Sequence, residues 1–310
     1  MDMDTKKKAL YEGFHSITKD SSEIFAPFRG RDLFGDTTFT LFYAWQDRFH
    51  YSYRMLEDTL VVLENGIDNR IACILLRKEG GEINKVISML YDLFQEAGLP
   101  LYFEYVCEED LPLYTQAALL VGSELVIRNI FDDNDYIYQT DEFLSLSGGR
   151  NKGKRGAINA LLREYPDIRM ISHDGVVRDL RQDCIDIFDQ WCAAHKCGDC
   201  VYGCEKKAFL RFLEIFDTRY HRLRICCAGG KPVSFAASEQ VNPEMDCYYF
   251  QKNAMRIRGL TYWLNREMAL ERAHVKYINL GEDMGLPGLR MDKAGLHPCK
   301  YGAKFTVKIE

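Results

Sequence analysis

A mixed α/β (α+β) fold in two domains is the expectation this sequence raises, and three observations carry it. Strand-like and helix-like segments alternate along the whole chain. At 310 residues there is enough chain for one or two domains, each with its own buried core. Residues 246–281 read as strand, turn, helix, strand: the aromatic run Cys247-Tyr248-Tyr249-Phe250, a cationic turn with Lys252, Arg256 and Arg258, a helix over residues 260–273, and an apolar strand over 277–281. In that helix Leu260, Trp263, Leu264 and Met268 stand at offsets of zero, three, four and eight, which is one face of a 3.6-residue period.

The remaining elements follow in order. Residues 37–53 are rich in aromatics (Phe39, Phe42, Tyr43, Trp45, Phe49) and read as a helix or strand laid over the core. Residues 60–63 and 71–76 are strand-like and separated by the turn Asn65-Gly66. Residues 83–97 have helical spacing and stop at Gly98-Leu99-Pro100, after which 101–106 is another strand. Past the acidic stretch 131–135, Tyr136-Ile137-Tyr138 opens a fresh segment. Residues 147–156 are glycine-flanked and basic, with Lys152, Lys154 and Arg155 leading into a helix that carries Ile158, Leu161, Leu162 and Tyr165 on one face. The domain boundary is placed there, giving domains 1–145 and 146–310. Residues 177–195 and 205–216 read as helices, and 221–240 as a β-hairpin turning at Gly229-Gly230. No short tandem repeat is visible.

Composition narrows the functions. A net charge of −6 gives no global attraction to nucleic acid or anionic lipid, so any such contact needs a local patch. No stretch approaches the roughly 18 apolar residues that span a bilayer, and the first residues lack a signal-peptide core, so a cytoplasmic location is expected. Eleven cysteines, an odd number, do not look like a disulfide framework. Cys197, Cys200 and Cys204, with Cys192 and His195 nearby, have spacings that suit zinc or an iron–sulfur cluster, but no second spaced pair accompanies them. Reduced thiols and no metal are expected. The basic segment 147–156 lacks the Gly-Lys-Ser/Thr ending of a P-loop, which argues against nucleotide hydrolysis.

The chemistry points to residues 252–259. A helix start offers free N–H groups and the positive end of a dipole, and here it stands directly behind Lys252, Arg256 and Arg258, so the turn suits a phosphate. Arg256-Ile257-Arg258-Gly259-Leu260-Thr261 resembles the Arg/Gln-x-x-Gly-x-Gly/Ala signature of the GNAT-type N-acyltransferases in its first two fixed positions and departs from it at Thr261. A second loop, residues 279–290, is rich in glycine and holds the acid pair Glu282-Asp283, with Arg290, Lys293 and His297 beyond it. Loops at strand ends are where functional groups concentrate.

Ser147-Gly148, Lys154-Arg155, Ile158-Asn159, Trp191, Glu205, Gly259-Leu260 and above all Asn279-Leu280-Gly281-Glu282-Asp283-x-Gly285-x-x-Gly288-Leu289-Arg290 with Lys293 and His297-Pro298 carry a resemblance over nearly the whole chain. It is similar to the soluble bacterial family grouped with the C-terminal domain of phosphatidylglycerol lysyltransferases. That resemblance implies two tandem GNAT-like domains, each a mixed sheet flanked by helices, related to the Fem-type aminoacyl transferases. It implies transfer of an acyl group from a CoA thioester or an aminoacyl-tRNA to an amine or hydroxyl, with no tightly bound cofactor. The acceptor would be a small molecule or peptide, and charged tRNA a partner. On this picture Lys252, Arg256, Arg258 and Gly259 hold donor phosphates, and Lys152, Lys154, Arg155, Asn279, Arg290, Lys293 and His297 meet the substrate. Glu282 or Asp283 orients the amine or acts as base, with Glu239 and Tyr249 as further acid–base candidates. The N-terminal domain shows no phosphate signature and is expected to have no site of its own. The alternative is a catalytically degenerate protein of the same fold that binds a ligand or partner.

Overall fold

The computed structural model describes residues 9–29, 34–66, 70–78, 81, 83–173, 179–195 and 204–310. The chain divides into two compact units. The first comprises Met1–Asp135, Glu282–Gly285 and Gly302–Glu310, and the second Tyr136–Gly281 and Leu286–Tyr301.

The first unit is built on strands β1 (His15–Ser16), β2 (Ser52–Leu56), β3 (Thr59–Asn65), β4 (Ile71–Arg77), β5 (Leu101–Val106) and β6 (Leu125–Asn129), joined by the last strand of the chain, β14 (Phe305–Ile309). Their order is β1-β2-β3-β4-β5-β14-β6. The first four strands are antiparallel neighbours, β4 and β5 run parallel, and β14 lies antiparallel between β5 and β6. The helix Asn84–Ala97 buries Val86, Ile87, Leu90, Phe94 and Ala97 as a single stripe, which is how an amphipathic helix covers a sheet. It stops at Gly98, whose φ of 63° lets Leu99 N–H return to the Phe94 carbonyl. Phe103, Val61, Cys73 and Val307 meet that stripe in one core.

The second unit's sheet holds β7 (Asp135–Gln139), β8 (Arg169–Ser172), β9 (His221–Ala228), β10 (Lys231–Asn242), β11 (Met245–Asn253), β12 (Tyr277–Asn279) and β13 (Lys300–Gly302), in the order β13-β7-β12-β11-β10-β9-β8. It too is mixed: β8 to β11 are antiparallel neighbours, β11 and β12 are parallel, and β12 and β7 antiparallel. The helix Leu260–Glu271 presents Leu260, Trp263, Leu264 and Met268 to the core, the face its spacing predicts. The hairpin of β9 and β10 turns at Gly229 and Gly230, both at positive φ, with Asp167 accepting from both their N–H groups.

Several expectations are revised. The boundary expected at 145/146 lies ten residues earlier, because β7 pairs with β12 and takes the chain after Asp135 into the second sheet. The C-terminal segment is not confined to the second unit either, since β14 completes the first sheet. Residues 37–53 form two short helices, Phe39–Ala44 and Gln46–Phe49, before β2 begins. Thr38 caps the first of these by accepting from Leu41 N–H. The helix expected over 177–195 is Arg181–His195 among the described residues.

Candidate functional site

In the second unit, β11 pairs with β12 only over Met245–Cys247. Just beyond, the pairing of β11 with β10 jumps from Ser238↔Tyr248 to Ala237↔Phe250, so Tyr249 is the extra residue of a β-bulge. A bulge re-aims a side chain. Here the Tyr249 hydroxyl donates to Glu239 Oε2 at 3.0 Å, so two of the acid–base candidates are in contact. Glu239 is buried, and His221 Nε2 stands 3.8 Å from its Oε2. His221 Nδ1 accepts from the Asp217 N–H at 2.9 Å, which in the neutral ring leaves the proton on Nε2, facing Glu239. His221 is itself buried against Phe212.

At the far end of β11 the cationic turn divides into two kinds of residue. Arg256 and Arg258 are exposed and make no ion pair or hydrogen bond among the described residues. Lys252 is engaged: it donates to Glu205 at 2.8 Å and lies 4.5 Å from the Trp191 ring centre. Gly259 has a φ of 88°, and a Cβ there would meet the Ala157 carbonyl oxygen at 2.4 Å. Close packing against the helix Lys152–Glu164 therefore demands glycine at this position whether or not a phosphate binds. Thr261, the departure from the GNAT signature, accepts from Asn253 at 3.1 Å, and Ser234 in turn donates to Asn253 at 2.6 Å. These contacts brace the turn against β10.

The other substrate candidates of this unit gather partly. Lys154 is buried in the helix Lys152–Glu164 and donates to Asn151 Oδ1 at 2.6 Å. Burial, then Arg150, push its ammonium below the usual lysine range. Burial, then Lys154 and Arg150, likewise push the His297 imidazole down, so Lys154, Arg150 and His297 are neighbours, with Arg150 paired to Glu142 at 2.8 Å. Arg155 instead donates to the Leu146 and Gly148 carbonyls and Lys152 is exposed. Asn279, buried, accepts from Gly281 N–H at 2.7 Å, and Lys293 Nζ donates to the Leu280 carbonyl at 2.6 Å. Arg290 lies half-buried in the helix Pro287–Gly295.

Glu282 and Asp283 belong to the first unit, not to the C-terminal domain as expected. Asp283 is buried and turns back on its own loop, accepting from Gly285 N–H at 2.9 Å. Glu282 joins a centre that the sequence did not reveal. Lys304 Nζ lies 2.5 Å from Asp36, 2.6 Å from Asp135 and 3.2 Å from Glu282. Oxygens of the three carboxylates come within 4.8 Å of one another, a cation-site spacing, and the cation there is the lysine. Burial alone would push the Lys304 ammonium down, but Asp135, Asp36 and Glu282 outweigh it and hold it well above the usual lysine range. Burial raises the Asp36 carboxyl, and the pull of Lys304 offsets that only in part. The same unit buries Glu64, whose Oε2 makes no hydrogen bond and whose carboxyl burial, then Glu104, push up to about 8.

Lys304, Asp36 and His221 escaped the sequence reading because each is a single polar residue with no spaced companion, Asp135 because it is one acid of an acidic stretch, and burial is invisible in one sequence. Lys304, alone before the alternating strand Phe305–Ile309, is the one with a weak signal. Of the cysteine cluster, Cys197 and Cys200 lie outside the described residues, while the nine described cysteines are free thiols.

Comparison with known proteins places this geometry. The family described as phosphatidylglycerol lysyltransferase, C-terminal, matches over residues 29–308. No curated protein matches. Among solved structures, a conserved protein of unknown function from Bacteroides thetaiotaomicron superposes with a TM-score of 0.84 at 22% identity, covering 96% of this chain and 99% of that one. The C-terminal domain of a putative lysylphosphatidylglycerol synthetase from Agrobacterium fabrum follows at 0.68 and 15% identity, covering 98% and 92%. L-PGS from Bacillus licheniformis stands at 0.67 and 14%, covering 94% and 92%. At these identities the structures speak for the fold alone, but the family match spans nearly the whole chain: it belongs to the family of the phosphatidylglycerol lysyltransferase C-terminal domain.

Proposed function

We propose that this protein is a transferase that moves an activated acyl group, carried as an aminoacyl-tRNA ester or a CoA thioester, to an amine or hydroxyl acceptor. The observation that carries the reading is the bulge at Tyr249, which sets a phenol on buried Glu239 just where β11 leaves β12. When an amine attacks the acyl carbonyl, a C–N bond forms, the C–O or C–S bond to the carrier breaks, and one proton must move from the nitrogen to the leaving atom. A phenol held by a buried carboxylate suits that shuttle: Tyr249 takes the proton from the amine as its own passes to Glu239, and as the carrier leaves Tyr249 gives a proton to the leaving atom and recovers its own from Glu239. Backbone N–H groups on the β11 edge past Cys247 are the candidates for stabilising the developing oxyanion.

Arg256 and Arg258, exposed at the end of the same strand, are the cations left to meet donor phosphates, since Lys252 is committed to Glu205. Lys154 and His297, beside the Arg150–Glu142 ion pair, are the groups of this region that suit an anionic portion of donor or acceptor.

The test is transfer from labelled aminoacyl-tRNA and from labelled acetyl-CoA to a panel of small amines, hydroxyl compounds and peptides. Tyr249→Phe is expected to lower kcat by about 10²-fold or more with folding intact. Arg256→Ala combined with Arg258→Ala is expected to raise the donor KM. A tRNA donor would show a steep loss of affinity with salt, a CoA donor little. Failure of both donors to be turned over, with thermal stabilisation by one of them retained, would replace the enzyme with a ligand-binding protein of the same fold.

A further inference from the structure

Strand β6 is the terminal strand of the first unit's sheet: among the described residues it pairs with β14 on one side and with no strand on the other. Glu310 N–H donates to the Glu124 carbonyl at 3.0 Å. In an alternating antiparallel ladder, Glu124, Val126 and Arg128 therefore turn their backbone groups toward β14, and Leu125 and Ile127 turn theirs to the open edge. Such an edge is a template for another strand. Exposed apolar side chains stand at both ends of it. Leu119 (75% exposed) and Leu120 (68%) close the helix Leu111–Leu120 before it, and Ile130 (56%) and Phe131 (45%) follow it.

We infer that β6 pairs with β6 of a second copy of this chain, antiparallel about a two-fold axis at Val126. The sequence Glu124-Leu125-Val126-Ile127-Arg128 is complementary to its own reverse. About that axis Glu124 faces Arg128 twice and Leu125 faces Ile127 twice. A perpendicular two-fold keeps like faces together, so the charge pairs fall on one face. Leu125 and Ile127 fall on the other, the face of their β14 partners Ile309 and Val307, which are buried. Leu125 and Ile127 are also the residues whose N–H and C=O groups reach the open edge, so they can exchange the hydrogen bonds of the new ladder. Glu124 and Arg128 are exposed and form no ion pair among the described residues, so both are available.

Neighbouring registers are poorer. An axis at Glu124 sets two carboxylates opposite each other, and one at Arg128 sets two guanidinium groups opposite each other. One at Ile127 leaves each charge facing an apolar residue. Like charges directly across a ladder are unfavourable and opposite charges favourable, so the charges guard the edge and select its register together. The antiparallel arrangement also brings the start of one strand beside the end of the other. Leu119 and Leu120 of one copy then approach Ile130 and Phe131 of the second, which covers apolar side chains that are exposed on the single chain.

Sedimentation equilibrium of the full chain tests this. The expected species is a dimer of about 72 kDa, twice the chain mass of 35.9 kDa. Arg128→Glu, which sets two carboxylates against each other twice, should weaken dimerisation by roughly tenfold or more. Adding Glu124→Arg to it should restore the wild-type constant, because the pairs are re-formed with their signs exchanged. Restoration by the double change also separates an interface effect from damage to the fold, which circular dichroism of each variant checks. A chain that remains monomeric at about 100 μM, or a dimer indifferent to Arg128→Glu, overturns the inference.

Discussion

In the first unit Lys304 Nζ lies 2.5 to 3.2 Å from three carboxylates, whereas in the second Arg272 Nε stops 3.8 Å from Asp246 Oδ1. All of these groups except the partly exposed Asp36 and Glu282 are nearly or fully buried. The arginine's other nitrogens are committed elsewhere, Nη1 to Gln240 at 2.6 Å and Nη2 to the Tyr220 carbonyl at 2.7 Å. Asp246 Oδ1 and Arg272 Nε, the atoms that face each other, make no hydrogen bond. The consequence appears in the protonation of each site. Contact with three carboxylates holds Lys304 charged despite its burial. Burial pushes Asp246 up to about 6, and Arg272, Ser238 and Arg222 counter it only partly, while Glu239 adds to the rise. A buried lysine is thus kept charged by carboxylates that touch it, even though burial still raises the Asp36 carboxyl, whereas a cation pinned a little over an ångström too far away offsets the burial of Asp246 only in part.

The comparison breaks most sharply at Lys304. Lys304→Met leaves Asp36, Asp135 and Glu282 facing one another without a cation, and removing one partner of a buried charge cluster typically costs about 3–5 kcal/mol. Urea unfolding of the variant at neutral pH should show a loss of that size, and acidification should recover part of it as the carboxylates take up protons. A loss below about 1 kcal/mol would mean the cluster behaves as a solvated surface pair, and the contrast with Asp246 would collapse.

Asp246 comes next. Its folded pKa of about 6 lies above the ordinary 3.8, so the folded state holds the proton more tightly than the unfolded chain does. The associated stability is present in full below pH 3.8 and is lost as the pH rises through about 6. That one group accounts for about 3 kcal/mol across the window. Asp246→Asn, which cannot ionise, should lack this loss, so its stability relative to the wild type should improve by that amount between the acid end and neutral pH. Parallel stability curves for the two proteins from pH 4 to pH 7 would show that Asp246 is not perturbed.

The sequence made the second unit's frame legible because its cues are local. Helical spacing from Leu260 to Met268, the Gly229-Gly230 turn and the run Cys247-Tyr248-Tyr249-Phe250 each report on neighbours a few residues away. The contact of Tyr249 with Glu239 was less accessible. Both residues are acid–base candidates in the sequence, but their pairing depends on a bulge that shifts register by one residue, and nothing in composition marks it. Gly259 fits a phosphate turn by its place in the sequence, yet its nearest reason is the Ala157 carbonyl, roughly a hundred positions earlier in the chain. The Lys304 centre lay furthest from view. It joins Asp36, Asp135, Glu282 and Lys304, spread from one end of the chain to the other, and exists only because β14 returns to the first sheet. For the same reason the boundary at 145/146 was set by a glycine-rich basic stretch, a local cue, when the division follows strand pairing.

Ser238 supplies the finest test of the contrast. Its hydroxyl donates to Asp246 Oδ2 at 3.0 Å inside the protein, and that bond favours the ionised carboxylate. Ser238→Ala removes the donor without adding bulk, at a cost of about 1.5–3 kcal/mol for a bond to a charged group. Because the bond stabilises only one protonation state, the cost should depend on pH. Below the Asp246 pKa the protonated carboxyl needs the donor less and the loss should be small. Above it the full cost appears, and the pH at which stability falls should move upward past about 6. NMR titration of the Asp246 carboxyl carbon in the variant reads that shift directly. An unchanged midpoint with a uniform loss of stability would assign Ser238 a packing role, and the state of Asp246 would then rest on burial and on the distance to Arg272 alone.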